Sequence, residues 1–256
     1  MIDPALPHSL ERELLICARR ETVFRYFTDS SRWEAWWGAG SRIDPVPGGA
    51  VLIRYPNAIE AAGEVIAIEP PERLVFTFGY ASGDPMPVGS SRVTIELAES
   101  AAGTRLRLRH ELADEDARDQ HVQGWRYQLA LFANVVTDAA HAGVDATVDA
   151  WFALWSEPHA ARRAEILAAT VTPGVRFRDR WSTVDGAADL APHLAAVHQF
   201  LPGAGVVRTG PVRHCQGTVL ADWRATRGDA ELGRGTNVFT LDADGRVEEV
   251  VGVWNA

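Results

Sequence analysis

Lysine is missing from this chain, and all 25 of its basic residues are arginine. Schiff-base catalysis, internal pyridoxal-phosphate linkage and biotin attachment all use a lysine amine, so the sequence excludes these classes. Cysteine is scarce as well. The two cysteines, Cys17 and Cys215, lie in different halves of the chain, and we expect no structural disulfide. No cysteine and histidine cluster has metal-ligand spacing, and we expect neither a metal nor another cofactor.

An excess of positive charge is also lacking, since the formal net charge is −9. Phosphate binding needs a basic face, so we predict no nucleic-acid partner. No apolar run approaches the roughly 20 residues of a membrane span, and we predict no membrane partner. Residues 1–10 contain no apolar core of signal-peptide length, so we expect a cytoplasmic protein.

Hydrophobic residues make up 46% of the 256 residues, which is enough for real cores and natural for two domains. We predict one domain over residues 1–141 and a second over residues 144–256, joined by a short linker around Ala142. Short helices are predicted over 21–29, 145–157, 158–169 and 186–201. The predicted strands of the second half are 175–181, 206–215, 218–226, 235–241 and 246–254.

Alternation of apolar and polar residues in the first half is typical of an antiparallel sheet with one wet face. It runs through 74–80, 92–97 and 105–111. A long helix is predicted over 114–140, because one apolar stripe recurs there at spacings of three and four: Val122, Trp125, Leu129, Phe132 and Val136. A sheet and a helix that bury each other's apolar faces form an α+β layer, and we predict an α+β fold for both halves.

A carboxylate stands in an unexpected place in the second half. If the strand 175–181 is regular, Asp179 points to the same side as Val175, Phe177 and Trp181. A carboxylate on an apolar face is costly unless it is paired or hydrogen-bonded. Two interpretations stay open. Asp179 is a polar cap paired with an arginine such as Arg178, or it is a general base at the wall of a cavity.

Other candidates in the second half could complete such a site. Asn237 shares a face with Phe239 and could steady an oxyanion, or its amide is satisfied by neighbouring backbone. His193 and His198 lie near the apolar stripe of the third predicted helix, and either could assist if it reached Asp179. The large aromatic residues either line a pocket or fill the core: Trp151, Trp155, Trp181 and Trp223.

In the first half, His110 alternates with Leu106 and Leu108 and therefore faces the long helix. We interpret it first as a satisfied core residue. If the domain is hollow, the candidate ligand contacts are the following residues: Trp36, Phe78, Tyr80, His110 and Trp125. Trp36 belongs to a cluster with Trp33 and Trp37 that either covers a cavity or anchors a loop.

The order of several short segments gives the first half a family resemblance. These are the helix 21–29, the tryptophans 33–37, Pro47-Gly48-Gly49, the segment from Pro70 to Leu74, the segment from Gly103 to Leu106, and Gly124-Trp125. In this order they resemble the branch of the START/Bet v 1 (SRPBCC) superfamily that is named after activators of the Hsp90 ATPase (AHSA1). The resemblance implies a helix-grip domain, often with a hydrophobic cavity, whose members bind ligands or co-chaperone partners.

The second half resembles SnoaL-like domains of the NTF2-like superfamily. The match runs through Ala150-Trp151, Phe177-Arg178-Asp179, the segment from Phe200 to Gly203 and the hairpin 242–247. The resemblance implies a cone-shaped α+β barrel, and it implies a homodimer as one expected state. It also places Asp179 where ketosteroid isomerase has its base. Trp151 and Asn237 stand where that enzyme has its tyrosine and protonated aspartate donors, so both donors are changed.

Three functions follow from these observations. The first is binding of a small hydrophobic, polycyclic or polyketide-like molecule in one or both cavities. The second is cofactor-independent isomerisation, dehydration or cyclisation in the second cavity, with Asp179 as base and Asn237 as oxyanion donor. The third is a protein-interaction role of the first half, like that of co-chaperones. Fold alone cannot choose among them.

Overall fold

The computed structural model describes residues 6–255, and the chain divides into two compact units. The first unit ends at Thr137 and the second begins at Asp138. In the described residues each unit combines one sheet with helices, so the predicted α+β class is confirmed. The domain limits at 141 and 144, the helix-grip domain and the closed cone remain predictions.

The first unit forms a sheet in which every neighbouring pair of strands is antiparallel, as predicted, in the order β1-β7-β6-β5-β4-β3-β2. Its elements are β1 (His8–Ile16), α1 (Arg20–Arg25), α2 (Ser30–Trp37), β2 (Arg42–Ile43), β3 (Ala50–Arg54), β4 (Glu60–Glu69), β5 (Arg73–Tyr80), β6 (Ser91–Ser100), β7 (Gly103–Leu112) and α3 (Glu115–Ala140). The last three residues of α3 pass the limit of this unit at Thr137.

The long helix α3 begins where its sequence supplies a cap. The carboxylate of Asp114 accepts a 2.9 Å hydrogen bond from the backbone N–H of Ala117, which satisfies one of the free donors of the first turn. Trp125, Leu129, Phe132 and Val136 are buried, as the predicted stripe requires. Phe132 stacks on Phe27 at 4.7 Å, so this face of α3 forms the core of the first unit.

One predicted helix of the first unit is wrong in extent. Residues 21–29 do not form one helix, since α1 ends at Arg25 and Asp29 caps a second helix, α2, by accepting a 2.8 Å bond from the N–H of Ser31. The tryptophans at 33, 36 and 37 are therefore helical and buried. Strand β1 was not predicted, and it pairs with β7 along its whole length.

The second unit has a mixed sheet, because β14 and β8 are parallel and the other neighbours are antiparallel. Its order is β10-β12-β13-β14-β8-β9, with β11 also paired to β12. The elements are α4 (Val144–Leu154), α5 (Ala160–Thr170), β8 (Val171–Arg178), β9 (Thr183–Asp185), α6 (Ala187–Phe200), β10 (Ala204–Arg208), β11 (Arg213–Cys215), β12 (Thr218–Arg227), β13 (Ala230–Leu241) and β14 (Val247–Trp254).

The end of β8 corrects a prediction that matters for the site. The strand stops at Arg178 rather than at residue 181, and the carboxylate of Asp179 accepts a 2.8 Å bond from the N–H of Trp181. This short turn breaks the alternation. Trp181 is consequently 70% exposed, so the prediction that it faces inward is wrong.

The predicted strand 206–215 is also wrong, since it divides into β10 and β11. The break falls at Gly210 and Pro211, where proline has no N–H to give to a ladder. Across residues 6–255, no helix has the length and apolar character needed to cross a membrane.

Candidate functional site

The larger of the two cavities that contain predicted site residues lies in the first unit and has a volume of about 310 Å³. This is the size range of pockets that hold small organic ligands. It lies between α2, the end of β3, β5 and α3. Its lining residues are Trp36, Trp37, Tyr55, Pro56, Asn57, Ile59, Phe78, Tyr80, Gln120, His121, Gly124, Trp125, Tyr127, Gln128 and Leu131.

Aromatic rings form the walls of this first cavity. The ring centroids of Trp36 and Trp37 are 4.3 Å apart, and Trp37 meets Trp125 at 5.7 Å. Tyr55 stands at 89° to Trp37, edge to face. Gln128 donates from its side-chain amide to the carbonyl oxygen of Trp36, which ties α3 to α2. The walls are therefore held by contacts among themselves.

His121 has a defined protonation pattern on the cavity wall. Its Nδ1 lies 2.6 Å from the carbonyl oxygen of Ala117, which can only accept, so Nδ1 carries the proton. Its Nε2 lies 3.0 Å from the hydroxyl of Tyr80 and accepts from it. Burial lowers the pKa of His121, and the bond to Ala117 opposes that shift in part. The ring is thus held in the neutral form.

His110 lies behind the wall rather than in it. Its Nδ1 accepts a 3.0 Å bond from the indole of Trp125, so its Nε2 carries the proton and donates to Ser91 at 2.8 Å. The hydroxyl of Ser91 donates in turn to the carbonyl oxygen of Phe78. Burial, and then the nearby His121, lower the pKa of His110 to about 3. The interpretation of His110 as a satisfied core residue fits this geometry.

The two phenols of the cavity are also kept neutral. Burial raises the pKa of Tyr55 strongly, and neighbouring Tyr80 adds to the shift. Burial likewise raises the pKa of Tyr80. Of the described residues that line this cavity, none is an aspartate, glutamate or arginine. The space is therefore apolar and uncharged, with a few hydroxyl, amide and imidazole groups on its walls.

Four of the five first-half candidates line this cavity: Trp36, Phe78, Tyr80 and Trp125. The prediction did not include Tyr55, His121 and Gln128. A signal for two of them was present in the sequence, because His121 lies four residues before Trp125 and Gln128 three after it, on the same helix face. Tyr55 carries no such pattern, since it follows the last residue of β3.

A second, much smaller cavity lies in the second unit. Its volume is about 70 Å³, less than half of the engineered cavity of about 150 Å³ that holds one benzene. Its lining residues are Phe152, Trp155, Phe177, Asp179, Val206, Trp223, Ala225, Asn237, Gly252 and Trp254. It thus contains both predicted catalytic residues.

Asp179 presents its carboxylate to this second cavity. One oxygen accepts from the backbone N–H of Trp181 at 2.8 Å, and the other accepts from the indole of Trp254 at 3.2 Å. Neither neighbouring arginine neutralises it, because Arg178 pairs with Glu249 at 3.3 Å and Arg180 lies over the ring of Trp181. Among the described residues no cationic side chain forms an ion pair with Asp179.

Asn237 approaches Asp179 across a glycine. It pairs with Gly252 in the β13–β14 ladder. A Cβ placed on Gly252 would lie 3.0 Å from the Cβ of Asp179 and 3.3 Å from the Oδ1 of Asn237, so the missing side chain is what leaves room for both. Asn237 is only 6% exposed, yet within residues 6–255 nothing hydrogen-bonds to its side-chain amide.

The remaining candidates of the second half separate into groups. Trp155 and Trp223 line the second cavity, whereas Trp151 is fully buried and meets Phe239 edge to face at 6.0 Å. His198 lies 3.4 Å from the carbonyl oxygen of Leu154 and does not line the cavity. Trp181 is on the surface. Within the described part of the chain, no group of three or more acidic, histidine or cysteine residues could hold a metal ion.

Comparison with known proteins agrees with the sequence for the first unit. Residues 17–137, just under half of the chain, match the family model described as Activator of Hsp90 ATPase homolog 1-like protein. The resemblance predicted for the first half is thereby confirmed. The search of curated proteins found no match.

Solved structures show weaker likeness. A SnoaL-like family protein from Agrobacterium tumefaciens is 24% identical, over 46% of this chain and 99% of its own, with a TM-score of 0.42. CalU16 from Micromonospora echinospora is 26% identical, over 50% and 76%, with a TM-score of 0.43. The Aha1 dimer from Colwellia psychrerythraea is 16% identical, over 51% and 96%, with a TM-score of 0.45. Each of these three structures covers about half of this chain.

Proposed function

We propose that the protein binds a small, uncharged, largely aromatic molecule in the cavity of its first unit. The observation that carries this proposal is the neutral aromatic lining of a space of about 310 Å³. A charged ligand would lose its hydration there without gaining a counter-charge, which is costly. An aromatic ligand instead gains contact with the indoles of Trp36, Trp37 and Trp125.

The polar groups on the wall give the ligand an orientation. In the structure, no described residue hydrogen-bonds to the hydroxyl of Tyr55, so that hydroxyl is available to a ligand. Tyr80 donates to His121, so its oxygen still has capacity to accept. A ligand with both a hydroxyl or carbonyl oxygen and a donor group suits this pair. A few such groups on an apolar wall are typical of sites that select one ligand.

The test is a pair of probes that differ in charge. N-phenyl-1-naphthylamine is neutral, and 8-anilino-1-naphthalenesulfonate is a similar aromatic skeleton with a sulfonate. We expect the neutral dye to bind with fluorescence enhancement, and Gly124→Leu to abolish this because Gly124 lines the cavity and a Cβ there has no neighbour within 4 Å. Gln123→Leu, at an adjacent exposed helix position outside the lining, is the matched control.

Equal binding of the two dyes, or equal loss in the two leucine variants, contradicts the proposal. A further check is native mass spectrometry of freshly purified protein. A co-purified molecule that is retained by the Gln123→Leu variant and lost from Gly124→Leu would identify the natural ligand class.

The enzymatic alternative has one observation in its favour, namely that Asp179 and Asn237 line one cavity. Its volume of about 70 Å³ is too small for a polycyclic or polyketide-like substrate. Both oxygens of Asp179 also accept N–H hydrogen bonds within the chain. For these reasons the proposed function is ligand binding in the first unit.

The co-chaperone alternative needs an exposed apolar patch on the first unit. The exposed large apolar residues of that unit lie on different strands, loops and helices: Leu15, Val46, Ile59, Ile66, Val88 and Tyr127. Ile59 and Tyr127 line the first cavity and so serve the binding proposal equally well. Homodimer formation and a cytoplasmic location stay predictions.

A further inference from the structure

We propose that the second cavity is a separate binding site for the head group of a small protonated amine, with Asp179 as its counter-ion. This inference concerns the second unit and does not depend on the ligand of the first.

The charge of the cavity is unbalanced. Asp179 faces an aromatic lining, and the groups that touch its oxygens, the N–H donors of Trp181 and Trp254, carry no full charge. Two N–H bonds hold the carboxylate in place and leave further lone pairs on both oxygens. A cation in the cavity would form a charge-assisted hydrogen bond to it, roughly twice as strong as a neutral one.

A second polar group has no partner in the described chain. Asn237 is 6% exposed as a whole residue, and it lies beside the acid across Gly252. An amide that has lost most of its water without gaining a hydrogen bond is unfavourable, so a ligand that satisfies it is favoured. The amide oxygen accepts from an ammonium N–H, as does the carboxylate. The two acceptors together suit a cation that carries N–H groups.

Four aromatic rings belong to the lining of this cavity: Trp155, Phe177, Trp223 and Trp254. Trp223 and Trp254 meet at 4.8 Å and 82°, and Trp155 and Phe177 meet at 5.2 Å and 56°. Proteins recognise alkylammonium groups by cation–π attraction to such rings. Apolar walls also strengthen the attraction between a cation and Asp179, because they lower the local dielectric constant.

The volume sets the size of the head group. About 70 Å³ admits an ammonium with one or two methyl groups, but not a ring system. A neighbouring groove of about 410 Å³ shares Phe152 and Val206 with the cavity, and we place the remaining chain of the amine there. We therefore assign the site to a singly N-methylated amine, whose ammonium carries two N–H groups, one for each acceptor.

The experiment compares protonated N-methylethanolamine with 1-butanol at pH 7.5. The two molecules have the same shape, and the alcohol has CH₂ where the amine has NH₂⁺. We expect titration calorimetry to show roughly tenfold or greater preference for the amine, as charge-assisted bonds imply. In ¹H–¹⁵N spectra we expect the indole N–H signals of Trp254 and Trp223 to shift with the amine.

Asp179→Asn and a matched control variant test whether the charge of Asp179, rather than a change in folding, determines amine binding. Asp179→Asn keeps the size and the acceptor oxygen, and we expect it to lose at least about tenfold in amine affinity. Asp185→Asn, an exposed acid on neighbouring β9, makes the same change in net charge and should bind as the wild type does. Trp223→Leu should weaken the amine and leave the alcohol unchanged, because it removes a π face and keeps an apolar wall.

Equal affinity for amine and alcohol overturns the proposal, and so does no amine binding at 100 mM. Unchanged binding in Asp179→Asn overturns it as well. Binding without movement of the Trp254 and Trp223 signals places the amine elsewhere and also overturns it. If Asp179→Asn does not fold, the amine and alcohol comparison on the wild-type protein still decides.

Discussion

Trp125 donates its indole N–H to Nδ1 of His110 at 3.0 Å, across the contact between α3 and the sheet of the first unit. Both partners are buried, and the bond fixes which nitrogen of His110 carries the proton. A helix and a strand are thereby joined by a polar bond inside an apolar core. The bond requires a neutral imidazole, because a protonated His110 has no acceptor to offer.

Because His110 must stay neutral, the free energy of unfolding is expected to depend on pH. A histidine in the unfolded chain takes up its proton near pH 6.5, whereas His110 has a pKa of about 3 in the folded protein. Between these values acid favours the unfolded state, so the free energy of unfolding falls as pH drops from 6.5. One such group contributes about 1.4 kcal/mol per pH unit. Urea unfolding at pH 7, 6 and 5 measures the slope, and His110→Gln should reduce it.

The same prediction has a direct spectroscopic form. The ring carbon-bound protons of His110, followed by NMR, should show no protonation between pH 7 and pH 4. A chemical-shift midpoint inside that interval would show that the imidazole is accessible to acid and that its bond to Trp125 is not permanent.

The phenols of the first cavity predict the opposite behaviour in base. Burial raises the pKa values of Tyr55 and Tyr80 above the ordinary 10, so the folded protein holds both protons longer than the unfolded chain does. The stabilisation is complete below pH 10 and is lost as pH rises through the folded-state values. Absorbance near 295 nm should therefore show late ionisation of two phenols. Tyr55→Phe should remove one of them, and ionisation of all tyrosines together near pH 10 would contradict the burial.

Replacing Gly124 is expected to change stability and ligand binding in opposite directions. It lies inside α3, where glycine costs about 1 kcal/mol relative to alanine, and a Cβ there meets no atom within 4 Å. Gly124→Ala should therefore raise the free energy of unfolding by about 0.5–1 kcal/mol. Because the residue lines the first cavity, the same change should narrow that cavity and weaken dye binding. A destabilised alanine variant would mean that the helix is constrained there by a contact not seen in the structure.

The core of the second unit predicts a large loss on truncation. Phe239 is fully buried and meets Trp151 and Phe152 edge to face. Phe239→Ala should cost about 3–5 kcal/mol of unfolding free energy, since the surrounding rings cannot close the space. Phe200→Ala, at a residue 76% exposed, is the matched control and should change stability by less than about 0.5 kcal/mol. Chemical denaturation of both variants makes the comparison.

Sequence periodicity predicted the strands and helices in which apolar residues repeat regularly, every two positions in a strand or every three to four in a helix. Residues 92–97 of β6 and 105–111 of β7 alternate without interruption, and the stripe of α3 is buried as its spacing requires. Periodicity failed where a side chain bonded to nearby backbone. The carboxylate of Asp179 accepts from the N–H of Trp181 where β8 ends. The carboxylate of Asp29 accepts from the N–H of Ser31 where a new helix begins. Such bonds compete with regular structure over two or three residues, and periodicity does not detect them.

The candidate sites were predicted less completely, for a related reason. Asp179 and Asn237 were placed in one site from their strand faces, and they do line one cavity. The volume of that cavity depends on how Trp151, Phe177 and Phe239 fill the interior, which sequence spacing does not determine. The first cavity joins residues from α2, the loop after β3, β5 and α3. Its lining followed from the sequence only along α3, where one helix face supplies several members.

Trp181 gives the protein an optical reporter. It is the one exposed indole among the described tryptophans, and the guanidinium of Arg180 lies 4.8 Å from the centre of its ring. Its backbone N–H is bound to Asp179, so a change of charge at that carboxylate acts on the turn that carries the indole. An aqueous anion such as iodide should quench this emission while the buried indoles continue to emit. Ligand binding or unfolding in the second unit can then be followed by intrinsic tryptophan fluorescence, without attaching a dye.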